Sequence, residues 1–251
     1  MLMSETALAT AQATFADIGS LGAGFYFIPP TLGRGKELGM PNGMVWYVCG
    51  RGSVLGDCNA ELVVSAFGYF EPNMIRKMWA AGTAVMPASK IVDEYAECAR
   101  AWGRATFGGV KSAGKFADLA EKIIAAGNSA GSALFAGWKA VPLGAADDPA
   151  GRAGMAFNVL REHRGSLHLQ AVIAAGLTPA EAHFTKGGDA RWKIFGWPED
   201  ATPAPKKAVW NKAERTTDLL TAQAYEVLTA KEADAFTKAV AQLAKAAAKK
   251  K

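Results

Sequence analysis

The chain has 251 residues, of which 50% are hydrophobic, and a formal net charge of +5. This is enough apolar sequence for a real core and excludes disorder as the overall description. Three cysteines without the spacing of zinc ligands, and a first segment (1–17) without an uninterrupted apolar run, predict a cytoplasmic protein with no export signal. The longest apolar stretch, 123–138, is shorter than the roughly 20 residues of a membrane span, so we predict a buried helix there and no membrane partner.

The first third of the chain predicts helices on both sides of a less regular stretch. Residues 5–18 are rich in alanine and have apolar side chains at helical intervals, which predicts a helix. Residues 19–56 are rich in glycine, proline and aromatic residues, which predicts irregular structure. Asp57 is predicted to cap a helix that ends at Phe67, and a proline at its first position favours a helix over 72–79.

The middle of the chain contains the clearest amphipathic pattern. Within 89–107, apolar side chains recur at spacings of four, three and four residues, which places them on one helical face. They are Ile91, Tyr95, Cys98 and Trp102. Residues 116–138 are interrupted by three glycines, which predict either close helix packing or a break after Ala126. These glycines and the clusters near 19–24 match no phosphate-binding or dinucleotide-binding fingerprint.

The stretch that begins at residue 150 is predicted to contain two consecutive helices. The first covers 150–164 and ends at Gly165, and the second covers 167–175 with Ser166 as its cap. A helix break at Gly165 would let side chains from the two helices converge on one place.

A third helix is predicted over 179–186. Thr178 supplies the cap, Pro179 suits the first helical position, and Glu181 completes a capping box. Two helices joined by a turn of a few residues that contains Gly176 have the outline of a helix-turn-helix.

Pieces of this stretch, and others far from it, resemble an actinobacterial family described as a helix-turn-helix family. The central pieces are Val159-Leu-Arg-Glu-His-Arg-Gly165, His168, Ala174-Ala-Gly-Leu177 and Glu181-Ala-His183. The flanking pieces are Gly68-Tyr-Phe-Glu-Pro72, Trp79, Gly196-Trp197, Glu214 and Thr217-Asp218. The resemblance runs from Met44 to Leu228 and implies a winged helix after Trp197. The prolines within 198–213 disfavour a full recognition helix and wing, so this element is expected to be degenerate.

The predicted fold class is therefore all-α, a multi-helix bundle with a helix-turn-helix-like C-terminal region. We expect an N-terminal helical region over 1–145 and the helix-turn-helix-like region, with a basic C-terminal helix, over 146–251. Much of the positive charge lies in Lys245 and in the terminal lysines 249–251, which have no aromatic neighbours. This pattern is typical of a solvated helix end and predicts at most weak nucleic-acid binding.

The histidines provide the candidate site. His163, His168 and His183 all fall in one stretch, together with Arg161, Glu162 and Arg164. The two arginines are three residues apart, share a helical face and could clamp a carboxylate or phosphate, while a histidine changes charge near neutrality. The alternative interpretation is structural: a network of ion pairs that holds helices together. His163 and His168 are five apart and point away from each other on one helix, so no metal site is predicted.

Aromatic residues of the N-terminal region offer an apolar pocket or, more simply, core packing. They are Phe25, Tyr26, Phe27, Trp46, Tyr47, Phe67, Tyr69, Phe70 and Trp79. The sequence thus predicts a ligand-responsive regulator of the helix-turn-helix class that binds a small anionic or amphipathic molecule. The predicted ligand-binding residues are Arg161, Glu162, His163, Arg164, His168, His183 and Trp79. The alternative is an enzyme that uses the cluster between Arg161 and His168. The sequence specifies no cofactor and leaves a homodimer open.

Overall fold

A computed structural model describes residues 4–250 and confirms the all-α fold class, because this part of the chain contains helices and no β-strand. The α-helices are α1 (Glu5–Gly22), α2 (Pro29–Glu37), α3 (Gly43–Gly52), α4 (Ala60–Phe67), α5 (Pro72–Thr83), α6 (Ala88–Phe107), α7 (Ala113–Ala126), α8 (Ala133–Ala140), α9 (Pro149–Ala174), α10 (Pro179–Ile194), α11 (Lys207–Ala222) and α12 (Ala230–Ala248). Short 3-10 turns cover Ser53–Leu55, Glu199–Ala201 and Gln223–Val227. None of the described helices is both long and apolar enough to cross a membrane.

The fold is organised around α9, which has 26 residues and packs against α1, α6, α7, α8 and α11. Its first half crosses α6 very closely, because glycines face each other at the crossing. A Cβ atom on Gly154 would lie 2.5 Å from the Ala99 carbonyl oxygen, and one on Gly103 would lie 2.9 Å from the Gly154 Cα atom. Any larger residue at either position would separate the two helices.

Two hydrophobic clusters share α9. The large one extends from Ala7 to Ala247 and includes the first half of α9. The small one is formed where the end of α9 meets α10 and α11, and its buried members are Val172, Leu177, Ala182 and Ala213. The small cluster thus holds together α9 and α10, which form a helical hairpin, and α9 connects this cluster to the rest of the protein. The division into 1–145 and 146–251 stays a prediction.

The predicted helix break at Gly165 is wrong, because α9 runs without interruption through Gly165 and Ser166. A glycine in a helix interior costs only about 1 kcal/mol relative to alanine. Buried apolar side chains on both sides of it, including Leu160 and Leu167, hold the helix against its neighbours. Burial of even one leucine side chain contributes roughly 1.5–3 kcal/mol and so outweighs the cost of the glycine.

The irregular structure predicted for 19–56 is also wrong, since α2 and α3 lie there. Pro29 begins α2, where a proline costs no internal hydrogen bond, and the Asn42 side chain accepts hydrogen bonds from the first amides of α3. Asp57 does not cap α4, because Asn59 does. The Asp57 carboxylate instead accepts a hydrogen bond from the Ala88 amide at 2.8 Å, at the start of α6.

Other predictions from local signals are confirmed. Pro72 opens α5, the amphipathic pattern corresponds to α6, and the break after Ala126 is present. The single buried helix predicted over 123–138 is wrong, because α7 ends at this break and α8 begins only at Ala133. The capping box at the start of α10 is present, and this helix continues to Ile194 across a kink at Gly188, where φ is 59°. In the described chain beyond Trp197 there is no β wing; a 3-10 turn and α11 follow.

Candidate functional site

A cleft of about 700 Å³ lies beside the second half of α9. Its walls come from α1, α3, α4, α10 and α11 as well as from α9. The aromatic, cationic and histidine side chains that line it include Tyr47, Arg51, Phe67, Tyr69, Phe70, Arg161, Arg164, His168, His183, Lys186, Arg191, Phe195 and Trp210. Among residues 4–250, no aspartate or glutamate lines this cleft.

One wall joins two sequence pieces that lie far apart in the chain. The Glu71 amide donates a hydrogen bond to the Phe195 carbonyl at 2.9 Å, and the Trp197 indole donates to the Tyr69 carbonyl at 2.8 Å. The Phe70 and Phe195 rings are stacked with their centroids 3.9 Å apart. The segment after α4 and the segment after α10 therefore form one rigid aromatic wall.

Behind the opposite wall, Glu162 is fully buried between two arginines. Arg51 binds its carboxylate with two hydrogen bonds of 2.8 Å, and Arg161 donates a third at 2.9 Å. The Tyr26 hydroxyl lies 3.3 Å from the same carboxylate. Burial alone would raise the pKa of the Glu162 carboxyl, but the arginines outweigh it and hold the pKa below its usual value. One negative charge therefore faces two positive charges.

A second ion-pair group connects α9 with α11. Arg164 donates to the Glu214 carboxylate at 2.7 Å and to the Asp218 carboxylate at 3.0 Å. His168, one turn further along α9, places its Nδ1 atom 2.9 Å from the Thr217 hydroxyl oxygen. That hydroxyl already donates its hydrogen to a backbone carbonyl, so Nδ1 must be the protonated nitrogen of the ring.

All three histidines are largely shielded from solvent, and burial lowers the pKa of each to about 4. His168 and His183 line the cleft as neutral rings. His163 lies outside it, packed against the Phe135 ring with centroids 4.5 Å apart. None of the three rings therefore adds a positive charge at neutral pH.

Helix α10 contributes two further cations, Lys186 and Arg191, one on each side of the kink at Gly188. Within residues 4–250, neither has a carboxylate oxygen within ion-pair distance. The Lys186 ammonium lies 5.7 Å from the centre of the Trp210 ring. Partial burial lowers the pKa of Lys186; Glu214 acts in the opposite direction, and the neighbouring arginines lower the pKa further.

The cleft thus brings together four of the predicted site residues: Arg161, Arg164, His168 and His183. Glu162 sits behind the wall as the partner of its arginines. Trp79 does not reach the cleft: it is buried in the core, and its indole donates to the Cys58 carbonyl at 3.1 Å. His163 is likewise a packing residue.

The sequence analysis missed three cationic residues of the cleft: Arg51, Lys186 and Arg191. Arg51 lies on α3, in the region predicted to be irregular, and no local pattern links it to Glu162. Lys186 already lay at the end of the predicted helix, whereas Arg191 could have been found only by extension of this helix past Gly187-Gly188.

Cysteine and metal chemistry can be compared directly with the lining of the cleft. The cysteines, Cys49, Cys58 and Cys98, lie outside it, and burial raises the pKa of each thiol. In the described part of the chain, no three side chains of histidine, cysteine, aspartate or glutamate are grouped as a metal site requires. The enzyme alternative stays a prediction.

A comparison with protein families matches residues 11–206 to a family described as a helix-turn-helix family. The match begins and ends earlier than the predicted resemblance over 44–228, and an actinobacterial origin stays a prediction. Comparisons with curated proteins and with solved structures found no match. Because the family match covers well over half of the chain and includes both helices of the hairpin, this protein belongs to the helix-turn-helix family.

Proposed function

We propose that this protein is a ligand-responsive regulator of the helix-turn-helix class, and that its cleft holds a small anionic or amphipathic molecule. The observation that carries the proposal is the lining: within the described chain it has five cationic side chains, several aromatic rings and no carboxylate. A volume of about 700 Å³ is within the range of small-molecule sites, which are roughly 300–1,000 Å³.

The arrangement suits a ligand with an apolar body and a charged end. Phe67, Phe70 and Phe195 supply apolar walls for the body. Arg161 and Arg164 lie on neighbouring turns of α9 and supply guanidinium groups, which bind carboxylates and phosphates with directed hydrogen bonds.

A ligand in this position would contact both helices of the hairpin, since α9 and α10 each line the cleft. The two helices share a hydrophobic cluster with only four buried members. So small a core leaves the angle between them sensitive to further contacts, which supports a response to the ligand.

We expect DNA binding to be weak and nonspecific. Two basic residues of α10, Lys186 and Arg191, face the cleft, and the described chain has no β wing after Trp197. Gel-shift titrations with random and genomic fragments should show binding that disappears as salt rises, because only phosphate contacts would contribute. Sequence-selective binding that persists at physiological salt would contradict this expectation.

Ligand binding is tested by thermal shift with matched pairs of aromatic acids and their neutral amides. We expect the acids to raise the Tm and the amides to leave it unchanged. A ligand at 100 times its Kd stabilises the native state by about 2.7 kcal/mol. Arg161→Gln should remove the response, while Arg76→Gln, on an exposed arginine outside the cleft, should keep it. If no acid raises the Tm of the parent protein, or if Arg161→Gln responds normally, the proposal is wrong.

A further inference from the structure

The charges around the cleft do not balance. Five cationic side chains line it, and three carboxylates, those of Glu162, Glu214 and Asp218, pair with members of this set. The two lining histidines are neutral near pH 7, because the pKa of each lies at about 4. Two positive charges are therefore left without a partner among residues 4–250.

The excess has a definite location on α10. Arg51 and Arg161 share the Glu162 carboxylate, and Arg164 has two carboxylates of its own. Lys186 and Arg191 have none within the described chain, and they lie on opposite sides of the kink at Gly188. The unpaired charge thus belongs to both halves of α10.

Two side chains of the cleft lining have polar atoms without partners among residues 4–250. The Tyr69 hydroxyl and the Trp210 indole nitrogen are closed off from solvent and have no hydrogen-bond partner, and both side chains line the cleft. A buried donor without a partner destabilises the structure that contains it. The Lys186 ammonium lies 5.7 Å from the centre of the Trp210 ring, so an oxyanion bound to Lys186 would bring acceptor oxygens near this side chain.

We propose that the cleft takes a dianionic oxyanion on an aromatic body, and that Lys186 and Arg191 of α10 bind the two charges opposite Arg161 and Arg164 of α9. The proposal rests on the proposed function and names its ligand class. A phosphate monoester and an aromatic dicarboxylate share this chemistry. A bound dianion joins the two halves of α10 to α9 and so fixes the hairpin angle.

The first experiment compares probes of equal size and different charge by calorimetry, at about pH 7.5, where a phosphate monoester is mostly dianionic because its second pKa is about 6. The probes are phenyl phosphate, a benzene dicarboxylate, benzoate and benzamide. We expect at least one dianion to bind about ten times more tightly than benzoate, because one added charge-assisted hydrogen bond changes the affinity by about this factor. The two dianions together distinguish a phosphate site from a dicarboxylate site.

The second experiment removes the cations from α10. Lys186→Gln and Arg191→Gln should each lower the affinity for the preferred dianion about tenfold and leave benzoate binding nearly unchanged. Lys193→Gln is the matched control, because Lys193 is on the same helix, pairs with Glu199 and lies outside the cleft. All three residues are exposed in part, and none has a buried ion-pair partner in the described chain, so the variants should fold normally.

The outcomes separate the two proposals. If no aromatic anion binds the parent protein, the proposed function fails. If benzoate binds as tightly as both dianions, or if Lys186→Gln and Arg191→Gln keep the preference for a dianion, the cleft binds anions but the assignment to α10 is wrong. Loss of the preference in the Lys193→Gln control would also overturn it, because the effect would then follow the general charge of the helix.

Discussion

The two halves of α9 differ in what surrounds them. From Ala150 to Leu160 the helix is buried on nearly every side, with glycine against glycine where it crosses α6. From Arg161 onward, one side turns toward the cleft, and charged or polar side chains alternate with buried ones. One continuous helix therefore provides both the centre of the core and a wall of the candidate site, and a rigid core element positions the cleft side chains.

Glu162 marks the transition between the halves. Its carboxylate is as buried as the core residues before it, yet its partners, Arg51 and Arg161, reach the cleft surface. The charge of the cleft wall thus depends on a carboxylate that a ligand does not touch. Substitution of Glu162 therefore tests how the buried half of α9 is coupled to the half that lines the cleft.

The largest effect is expected from Glu162→Gln, which removes the only carboxylate between two arginines. Breaking a buried pair by removal of one partner costs roughly 3–5 kcal/mol. For a chain of this size, the Tm should fall by about 10 °C or more. The matched control is Glu61→Gln, since Glu61 also binds an arginine, Arg76, with two hydrogen bonds but is exposed. It should cost less than about 1 kcal/mol. Equal losses in the two variants would show that burial of the pair is unimportant.

The next effect is the dependence of stability on pH through His163, which packs beside the cleft wall without facing it. Its pKa falls from 6.5 in the unfolded chain to about 4 in the native state. The unfolded state therefore binds more protons between these values, so stability is full above about pH 6.5 and is lost as the pH falls toward 4. The loss should reach about 3 kcal/mol for this residue alone.

Urea unfolding between pH 4 and 7 measures this loss, and His163→Leu serves as the comparison. The variant should show a smaller decrease of unfolding free energy in acid, with the decrease due to His168 and His183 still present. An unchanged slope would mean that His163 is not the buried neutral base that its packing against Phe135 indicates.

The smallest effects come from two glycines, one in each half of α9. Gly154→Ala places a methyl group 2.5 Å from the Ala99 carbonyl oxygen and should cost roughly 1–3 kcal/mol. Gly165→Ala meets nothing within 4 Å and should stabilise the helix by roughly 0.5–1 kcal/mol. Thermal unfolding of both variants measures the difference. Destabilisation by Gly165→Ala would show that the second half of α9 needs its glycine.

The sequence alone was sufficient to predict those helix starts and helix faces that depend on contacts within a few residues. The capping box of Thr178 and Glu181, the proline that opens α5 and the periodic face of α6 are each confirmed, because every one acts within a few residues of chain. The site was partly predictable for the same reason. Arg161 and Arg164 share a helical face by their spacing alone, and both line the cleft; His168 joins this face only because α9 continues past Gly165.

Tertiary packing decided the rest. Gly165 and Ser166 have the chemistry of a helix end, but the side chains packed around α9 outweigh their local preference by more than the roughly 1 kcal/mol at stake. The pair of Arg51 with Glu162 spans 111 residues, and no spacing within a helix can show such a contact. Whether a charged side chain faces solvent, an ion-pair partner or a cleft depends on the helices packed around it. The sequence therefore determined which side chains share a helical face, and only the fold determined what that face meets.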